Sequence, residues 1–106
     1  MLHLQNALNV FSGRKIQDKN FTDFISVENN VLTVKIQDGV ISENGVNGIQ
    51  ATDLLEYVNE VFKSLDSAFP CRENLLTITK IEEGLHWQEA RTKDRIKRKV
   101  EGQNKA

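Results

Sequence analysis

The sequence has one cysteine, one proline and no long apolar run, and each scarcity excludes a class of protein. Cys71 stands alone, so the chain has no internal disulfide and no cysteine-rich metal site. No apolar stretch approaches the ~18 residues that a membrane helix needs. The N-terminus also lacks the basic start and continuous apolar stretch of a signal peptide. The simple expectation is a protein of the reducing cytoplasm.

Residue constellations typical of enzymes are nearly absent as well. His3 and His86 have no metal-ligand spacing with each other or with Cys71. There is no glycine-rich phosphate loop of the Walker or Rossmann type, and no nucleophile stands near a base. The sequence therefore predicts no catalysis, no metal and no cofactor, which leaves binding as the expected activity.

The composition is that of a folded protein, with 39% apolar and 27% charged residues. Charge is unevenly distributed. Residues 1–88 carry 7 basic against 12 acidic residues, a balance of −5, whereas residues 89–106 carry 7 against 3, a balance of +4. The basic end suits an anionic ligand or nucleic acid, but helix C-termini also favour cations for purely structural reasons.

The first half of the chain has the two-residue period of β-strands. The segments "FTDFISVE" and "VLTVKIQ" flank Asn29-Asn30, and residues 31–36 alternate like a half-buried strand. A second hairpin is predicted at Asp38-Gly39 before "VIS", and another within "LNVFSGRKI" turning at Ser12-Gly13. The segment "ENGVNGIQ", residues 43–50, is interpreted as a shaped connection to the helices because it contains two glycines.

The second half has helical periodicity. The first helix is predicted to enter at Thr52 with a capping box of Asp53 and Glu56. Its apolar face comprises Leu54, Leu55, Val58, Val61, Phe62 and Leu65. "DSAFPCR" breaks this helix, and the next is predicted to bury Leu75, Ile78, Ile81 and Leu85 and to end at Gly102.

The expected fold class is therefore α+β, with a small N-terminal antiparallel sheet followed by an antiparallel two-helix hairpin. We expect one domain over residues 1–106, composed of a β-rich part (1–50), a helical hairpin (51–102) and a frayed tail (103–106).

The second helix carries the polar residues that suit a ligand. Arg91 and Arg95 are spaced i and i+4, so both guanidinium groups can reach one phosphate or diphosphate. The alternative is a solvated pair, partly offset by Asp94. Asn74 can donate to and accept from a base edge or a ribose hydroxyl, although its position alone favours an N-terminal cap of the helix over recognition.

Distance decides how these residues could share a site. Asn74 and Arg91 are 17 positions apart, which is about 25 Å along an unbroken helix at ~1.5 Å per residue. A mononucleotide or a cyclic dinucleotide is much shorter. In an antiparallel two-fold dimer, however, Asn74 of one helix can approach Arg91 and Arg95 of its mate. If they share a site, it lies between subunits.

Several short motifs within residues 44–102 resemble those of one known family. They are "GVNG" at Gly45–Gly48, "CREN" at Cys71–Asn74, "ITK" at Ile78–Lys80, Leu-x-Trp at Leu85–Trp87, "RT-x-DR" at Arg91–Arg95 and "VEG" at Val100–Gly102. In this order and at this spacing, over residues 44–102, they resemble the first type of the phage Thoeris anti-defence sponge family. The hairpin also resembles that of phage anti-CBASS sponges.

The resemblance implies a non-enzymatic protein that acts in the cytoplasm of an infected bacterial host. Such sponges sequester glycocyclic ADP-ribose, a cyclic ADP-ribose isomer made by TIR proteins, in pockets between subunits of a homo-oligomer. Asn74 would contact the nucleotide, and Arg91 and Arg95 would hold the phosphates. Some members also bind cyclic di- or trinucleotides, and Arg72 is a candidate for that second site.

One position departs from the family pattern. Members can carry an aromatic ring ten residues before the asparagine, where it stacks on the base, and this chain has Ser64 there. Phe62 or Phe69 is the candidate replacement, and the alternative is a different ligand preference. The alternative functions are a sponge for CBASS cyclic oligonucleotides and a nucleic-acid-binding regulator. The acidic balance of residues 1–88, and the absence of aromatic residues near "RIKRK", disfavour the regulator.

Overall fold

A computed structural model describes residues 2–98 and confirms the α+β class, with antiparallel strand pairs preceding a helical hairpin. The elements are α1 (Leu2–Val10), β1 (Lys15–Ile16), β2 (Lys19–Asn20), a 3-10 turn (Phe21–Asp23), β3 (Ile25–Glu28), β4 (Val31–Val34), α2 (Ile41–Asn44), α3 (Ala51–Ala68) and α4 (Arg72–Lys97). The predicted end at Gly102 and the tail lie outside the described residues. Within residues 2–98 no helix is long and apolar enough to cross a membrane.

The hairpin around Asn29-Asn30 is confirmed. Strands β3 and β4 pair antiparallel from Ile25↔Val34 to Glu28↔Val31. Both asparagines have positive φ, 51° and 60°, as a tight two-residue hairpin turn requires. The predicted half-buried character of residues 31–36 holds only in part. Val34 is half-buried, whereas Val31 and Ile36 are 60% and 46% exposed.

The predicted hairpin at Ser12-Gly13 is wrong, because the residues before it form helix α1. Ala7 and Phe11 lie four positions apart and are both buried, so a helical turn places them together in the core. A hairpin does follow, but β1 and β2 turn at Gln17-Asp18, where Gln17 adopts a φ of 56°. The β-rich part thus begins with a helix.

The second predicted hairpin, into "VIS", is also wrong. The chain forms the short helix α2 there, and Ile36 instead makes a parallel bridge with Ile49. The Gln37 side chain organises this segment, donating to the carbonyls of Gly39 (3.2 Å) and Gly45 (2.8 Å). It also accepts the backbone N–H of Asn47 at 2.9 Å. Side chains thus satisfy the backbone groups that a strand pair would have satisfied.

The helical hairpin is present, with two local corrections. Helix α3 begins at Ala51, one residue before the predicted entry, and its capping box joins Gln50 to Asp53 rather than Asp53 to Glu56. In α4, Ile78, Ile81 and Leu85 are half-buried as predicted, but Leu75 is 56% exposed.

The core lies where α1 and the strands pack against α3. Its buried members are Ala7, Phe11, Phe21, Ile25, Ile49 and Tyr57. The rings of Phe11 and Phe21 stack with centroids 4.6 Å apart, and the Arg14 guanidinium lies 5.2 and 5.4 Å from them. Arg14 also pairs with Glu56 of α3 at 2.8 Å. The segment after α1 is thus attached both to the aromatic rings of the core and to α3.

Candidate functional site

Asn74 lies in the first turn of α4, at the end of the molecule where α3 turns into α4. The N-terminal cap is Cys71, whose sulfur accepts the backbone N–H of Asn74 at 3.4 Å. A capping role for the Asn74 side chain is therefore wrong. Its Nδ2 donates instead to the Phe69 carbonyl at 3.3 Å. Within residues 2–98 its Oδ1 has no hydrogen-bond donor, so Asn74 offers a bound molecule an acceptor.

The two arginines lie near the other end of α4 and differ in exposure. Arg91 is exposed, and within residues 2–98 it makes no ion pair. Asp94, the partner that the sequence offered, pairs with Arg98 at 3.0 Å. Arg95 is 7% exposed although it is only four positions further on. Arg91 is therefore the more accessible cation of the two, and Arg95 is held within the fold.

Two further basic residues near this end of α4 form ion pairs. Lys93 pairs with Glu89 at 3.1 Å, and Arg98 with Asp94 as above. Such pairs reduce the positive charge that α4 presents to the phosphates of a nucleic acid.

Helix α4 keeps Asn74 and Arg91 apart. It runs without interruption from Arg72 to Lys97, so the estimate of about 25 Å between the two positions applies. One chain therefore does not bring the predicted residues together, and any common site needs a second copy.

An open apolar groove lies between the two ends. Its volume is about 470 Å³, and it runs along the seam of α3 and α4. Its lining is Leu55, Leu76, Thr77, Lys80, Ile81 and Gly84. Gly84 contributes to the opening, since a Cβ there would meet nothing nearer than Leu55 Cδ2 at 4.0 Å. The sequence predictions missed this groove, although a glycine inside an apolar helical pattern is a signal for a packing or functional role.

The secondary candidates are distributed over different surfaces. Phe69 is 72% exposed beside Asn74, and Arg72 is exposed at the first position of α4. Phe62 is half-buried in α3. Of the two candidate rings, Phe69 is thus the one free to stack on a base.

Ser64 contacts α1. Its hydroxyl lies 2.8 Å from His3 Nδ1 and accepts from Asn6 Nδ2 at 3.3 Å. The N-terminal part of α1 thus contacts the position at which the family pattern has a ring.

The candidate positions offer no metal cluster among the residues that the structure describes. In the described part of the chain no group of three His, Cys, Asp or Glu side chains could hold a metal ion. The tyrosine pKa that burial raises belongs to Tyr57, in the core. The chemistry available at the candidate residues is hydrogen bonding, charge and stacking.

Comparisons with known proteins identify the family that the chain is similar to. The model of the Acb2/Tad1 hairpin domain matches residues 28–93, which include Asn74 and Arg91. The protein Thoeris anti-defense 1 of Bacillus phage SBSphiJ7 is 37% identical over 92 residues. The match covers 86% of this chain and 61% of the relative, so the chain spans about three fifths of the length of the relative it matches.

Proposed function

This chain belongs to the Acb2/Tad1 hairpin family, and we propose that it is a phage anti-defence protein that sequesters a cyclic ADP-ribose isomer. It acts in the cytoplasm of the infected bacterial host, where it keeps a TIR-derived signal from reaching its effector. The relative's name, Thoeris anti-defense 1, supports the biological role.

The observation that carries the proposal is the placement of complementary groups at opposite ends of one unbroken helix. Asn74 offers an acceptor at one end, and Arg91 offers an exposed guanidinium near the other. A two-fold axis that brings Asn74 of one copy to Arg91 and Arg95 of another must cross α4 near residues 82–85. The apolar groove lies at that point, lined there by Ile81 and Gly84, and burial of its walls would favour association. The proposed pockets therefore lie between subunits, two in each dimer.

Within each pocket the residues have distinct roles. The guanidinium of Arg91 binds the diphosphate by paired hydrogen bonds, and Arg95 adds to the positive potential there. Asn74 accepts a hydrogen bond from the base or a ribose hydroxyl, and Phe69 is the ring best exposed for stacking. None of these groups is a nucleophile beside a base, so the ligand is held and released unchanged.

Sequestration also requires tight binding. A signal present at tens of nanomolar is depleted only if the dissociation constant is of that order or lower, about −10 to −12 kcal/mol. Charge-assisted hydrogen bonds to phosphate, base stacking and enclosure at the interface are the contributions that this total requires.

Calorimetry of the full chain against glycocyclic ADP-ribose isomers tests the proposal. We expect nanomolar binding, one ligand per chain, and chemically intact ligand recovered after heat denaturation. The same measurement with cyclic di- and trinucleotides, on the wild type and on Arg72→Ala, tests whether the protein is a CBASS sponge. A duplex oligonucleotide tests the regulator, whose affinity must fall steeply with salt. Failure to bind any cyclic compound overturns the proposal, as does ligand recovered in altered form.

A further inference from the structure

The turn that carries Asn74 is organised by a carboxylate that the proposed pocket does not include. Asp66 lies half-buried in the last turn of α3, and its Oδ1 accepts the backbone N–H of Cys71 at 3.2 Å. Cys71 in turn caps α4 by accepting the N–H of Asn74. The Asn74 side chain then returns to the carbonyl of Phe69, at the end of α3. A chain of hydrogen bonds thus joins Asp66 to Asn74 across the turn.

Asp66 is unfavourably placed in its own helix. A negative charge in the last turn of a helix opposes the macrodipole, and no basic residue in the last turn of α3 offsets it. The same carboxylate faces the start of α4, where the N–H groups favour an anion. The charge is therefore better explained by its role in α4 than by the stability of α3.

The N-terminal cap of α4 is a second reason for the position of Asp66. A cysteine sulfur is a weak acceptor, whereas most helices begin with an oxygen acceptor such as Ser, Thr, Asp or Asn. The carboxylate of Asp66 supplies this start of α4 with the strong acceptor that Cys71 lacks. It does so at the N–H of Cys71 itself, so the position of the cap residue depends on Asp66.

We propose that Asp66 is a positioning residue for ligand recognition. It holds Cys71 so that α4 starts in one register and Asn74, anchored to Phe69, presents its Oδ1 to the ligand. The inference rests on the proposed function, and it adds to the binding apparatus a residue that does not itself touch the ligand. The ligand group selected in this way is a hydrogen-bond donor, such as an exocyclic amine or a hydroxyl.

The binding test uses Asp66→Ala, Asp66→Asn and a matched control, Ser67→Ala, an exposed neighbour in the same turn. For glycocyclic ADP-ribose we expect Asp66→Ala to weaken binding about tenfold, or ~1.4 kcal/mol. Asp66→Asn keeps an oxygen acceptor and should restore most of the affinity. In an Asn74→Ala background, Asp66→Ala should change affinity less than about twofold, because its target is gone. An equal loss in both backgrounds overturns the inference.

Amide hydrogen exchange provides a readout that needs no ligand. Asp66→Ala should release the Cys71 N–H, while Asp66→Asn and Ser67→Ala keep it protected. Unchanged protection in Asp66→Ala shows that the contact is not made and overturns the inference. If the wild type binds and Asp66→Ala binds equally well, the positioning role fails while the proposed function stands. If the wild type binds no cyclic compound, the proposed function fails, and with it any role of Asp66 in binding.

Discussion

Tyr57 and Leu4 connect helices α3 and α1, since the Tyr57 hydroxyl donates a hydrogen bond to the Leu4 carbonyl at 3.0 Å. Tyr57 is 1% exposed in the middle of α3, and Leu4 lies in α1. Because α1 packs along α3, this hydrogen bond is formed only when the N-terminal helix is docked. The chain has one tyrosine, so its titration reports on that docking.

Burial raises the Tyr57 pKa above its ordinary value of 10.0, which predicts a specific loss of stability in alkali. In the unfolded chain the hydroxyl loses its proton near pH 10, whereas the folded chain retains it to higher pH. The unfolded state therefore binds fewer protons between these two pKa values, and the free energy of unfolding falls as pH rises through that window. Below about pH 9 this contribution is fully present. Phenolate absorbance gives the folded pKa, and chemical unfolding gives the free energy.

The matched variant is Tyr57→Phe. It should lose about 1 kcal/mol at neutral pH, since the Leu4 carbonyl loses its donor. The stability difference between the two proteins should shrink as pH rises past 10, because only the wild type carries the titrating hydroxyl. A difference that stays constant from pH 8 to about pH 11 would contradict the buried, hydrogen-bonded state of Tyr57.

The second prediction concerns the stability cost of a side chain at Gly48. A Cβ there would lie 2.4 Å from the Ile36 carbonyl carbon and 2.6 Å from the Gln37 nitrogen. Both are backbone atoms and cannot move aside cheaply, so Gly48→Ala should cost about 1–3 kcal/mol. Gly84→Ala is the matched control. It has room for its methyl group inside α4 and should stabilise the isolated chain by about 0.5–1 kcal/mol.

Urea unfolding of both variants, at a concentration low enough for the chain to be monomeric, measures the difference. Equal midpoints for Gly48→Ala and the wild type would show that the Ile36–Ile49 bridge does not pack as described. Gly48, the glycine of "GVNG" nearest the helices, is thus explained by backbone packing.

The helical hairpin could be predicted because its signals are local. The apolar period of α3, the break at Phe69-Pro70 and the period of α4 need no distant partner to be interpreted. Helix α1 could not be identified in the same way, since it is short and its burial depends on Tyr57 and Phe21, which lie far along the chain. The hairpin at Asp38-Gly39 was wrongly predicted because the Gln37 side chain, rather than a second strand, bonds the backbone groups of this segment.

The candidate site, like the fold, could be predicted only where its signals are local. The separation of Asn74 from Arg91 follows from helix length alone, and α4 is continuous as that argument required. Burial of Arg95 and the bond of Asn74 to Phe69 could not be foreseen, because they depend on tertiary contacts. The capping box is displaced because Gln50 takes the cap position, where Asp53 had been expected.

Ser64 yields a third prediction, because the resemblance places an aromatic ring at this position. Ser64→Phe should displace the first turn of α1, since His3 and Asn6 already contact the serine hydroxyl. We expect a loss of about 1–3 kcal/mol in unfolding free energy and no gain in ligand affinity. Ser64→Ala removes the hydrogen bonds without adding bulk and should cost nearer 1 kcal/mol. Tighter binding by Ser64→Phe with α1 still docked would show that the ring fits after all.

The shared pocket makes the fourth prediction, which concerns mixtures of two inactive variants. Asn74→Ala removes the acceptor from both pockets of a homodimer, and Arg91→Ala removes the cation from both, so each alone should bind the cyclic ADP-ribose isomer poorly. In a heterodimer, one pocket receives both intact residues and the other receives neither. Unfolding and refolding the two variants together should therefore restore about one good pocket per heterodimer.

Calorimetric stoichiometry separates this arrangement from a pocket within one chain. With random pairing, about half of the dimers are heterodimers, so the mixture should bind roughly a quarter as much ligand as the wild type, at wild-type affinity. Mixing Asn74→Ala with Asn74→Ala,Arg91→Ala is the control and should restore nothing, because no chain then supplies Asn74. If the first mixture also restores nothing although heterodimers are present, the two residues do not meet across a subunit interface. The distance along α4 would then require them to serve separate sites.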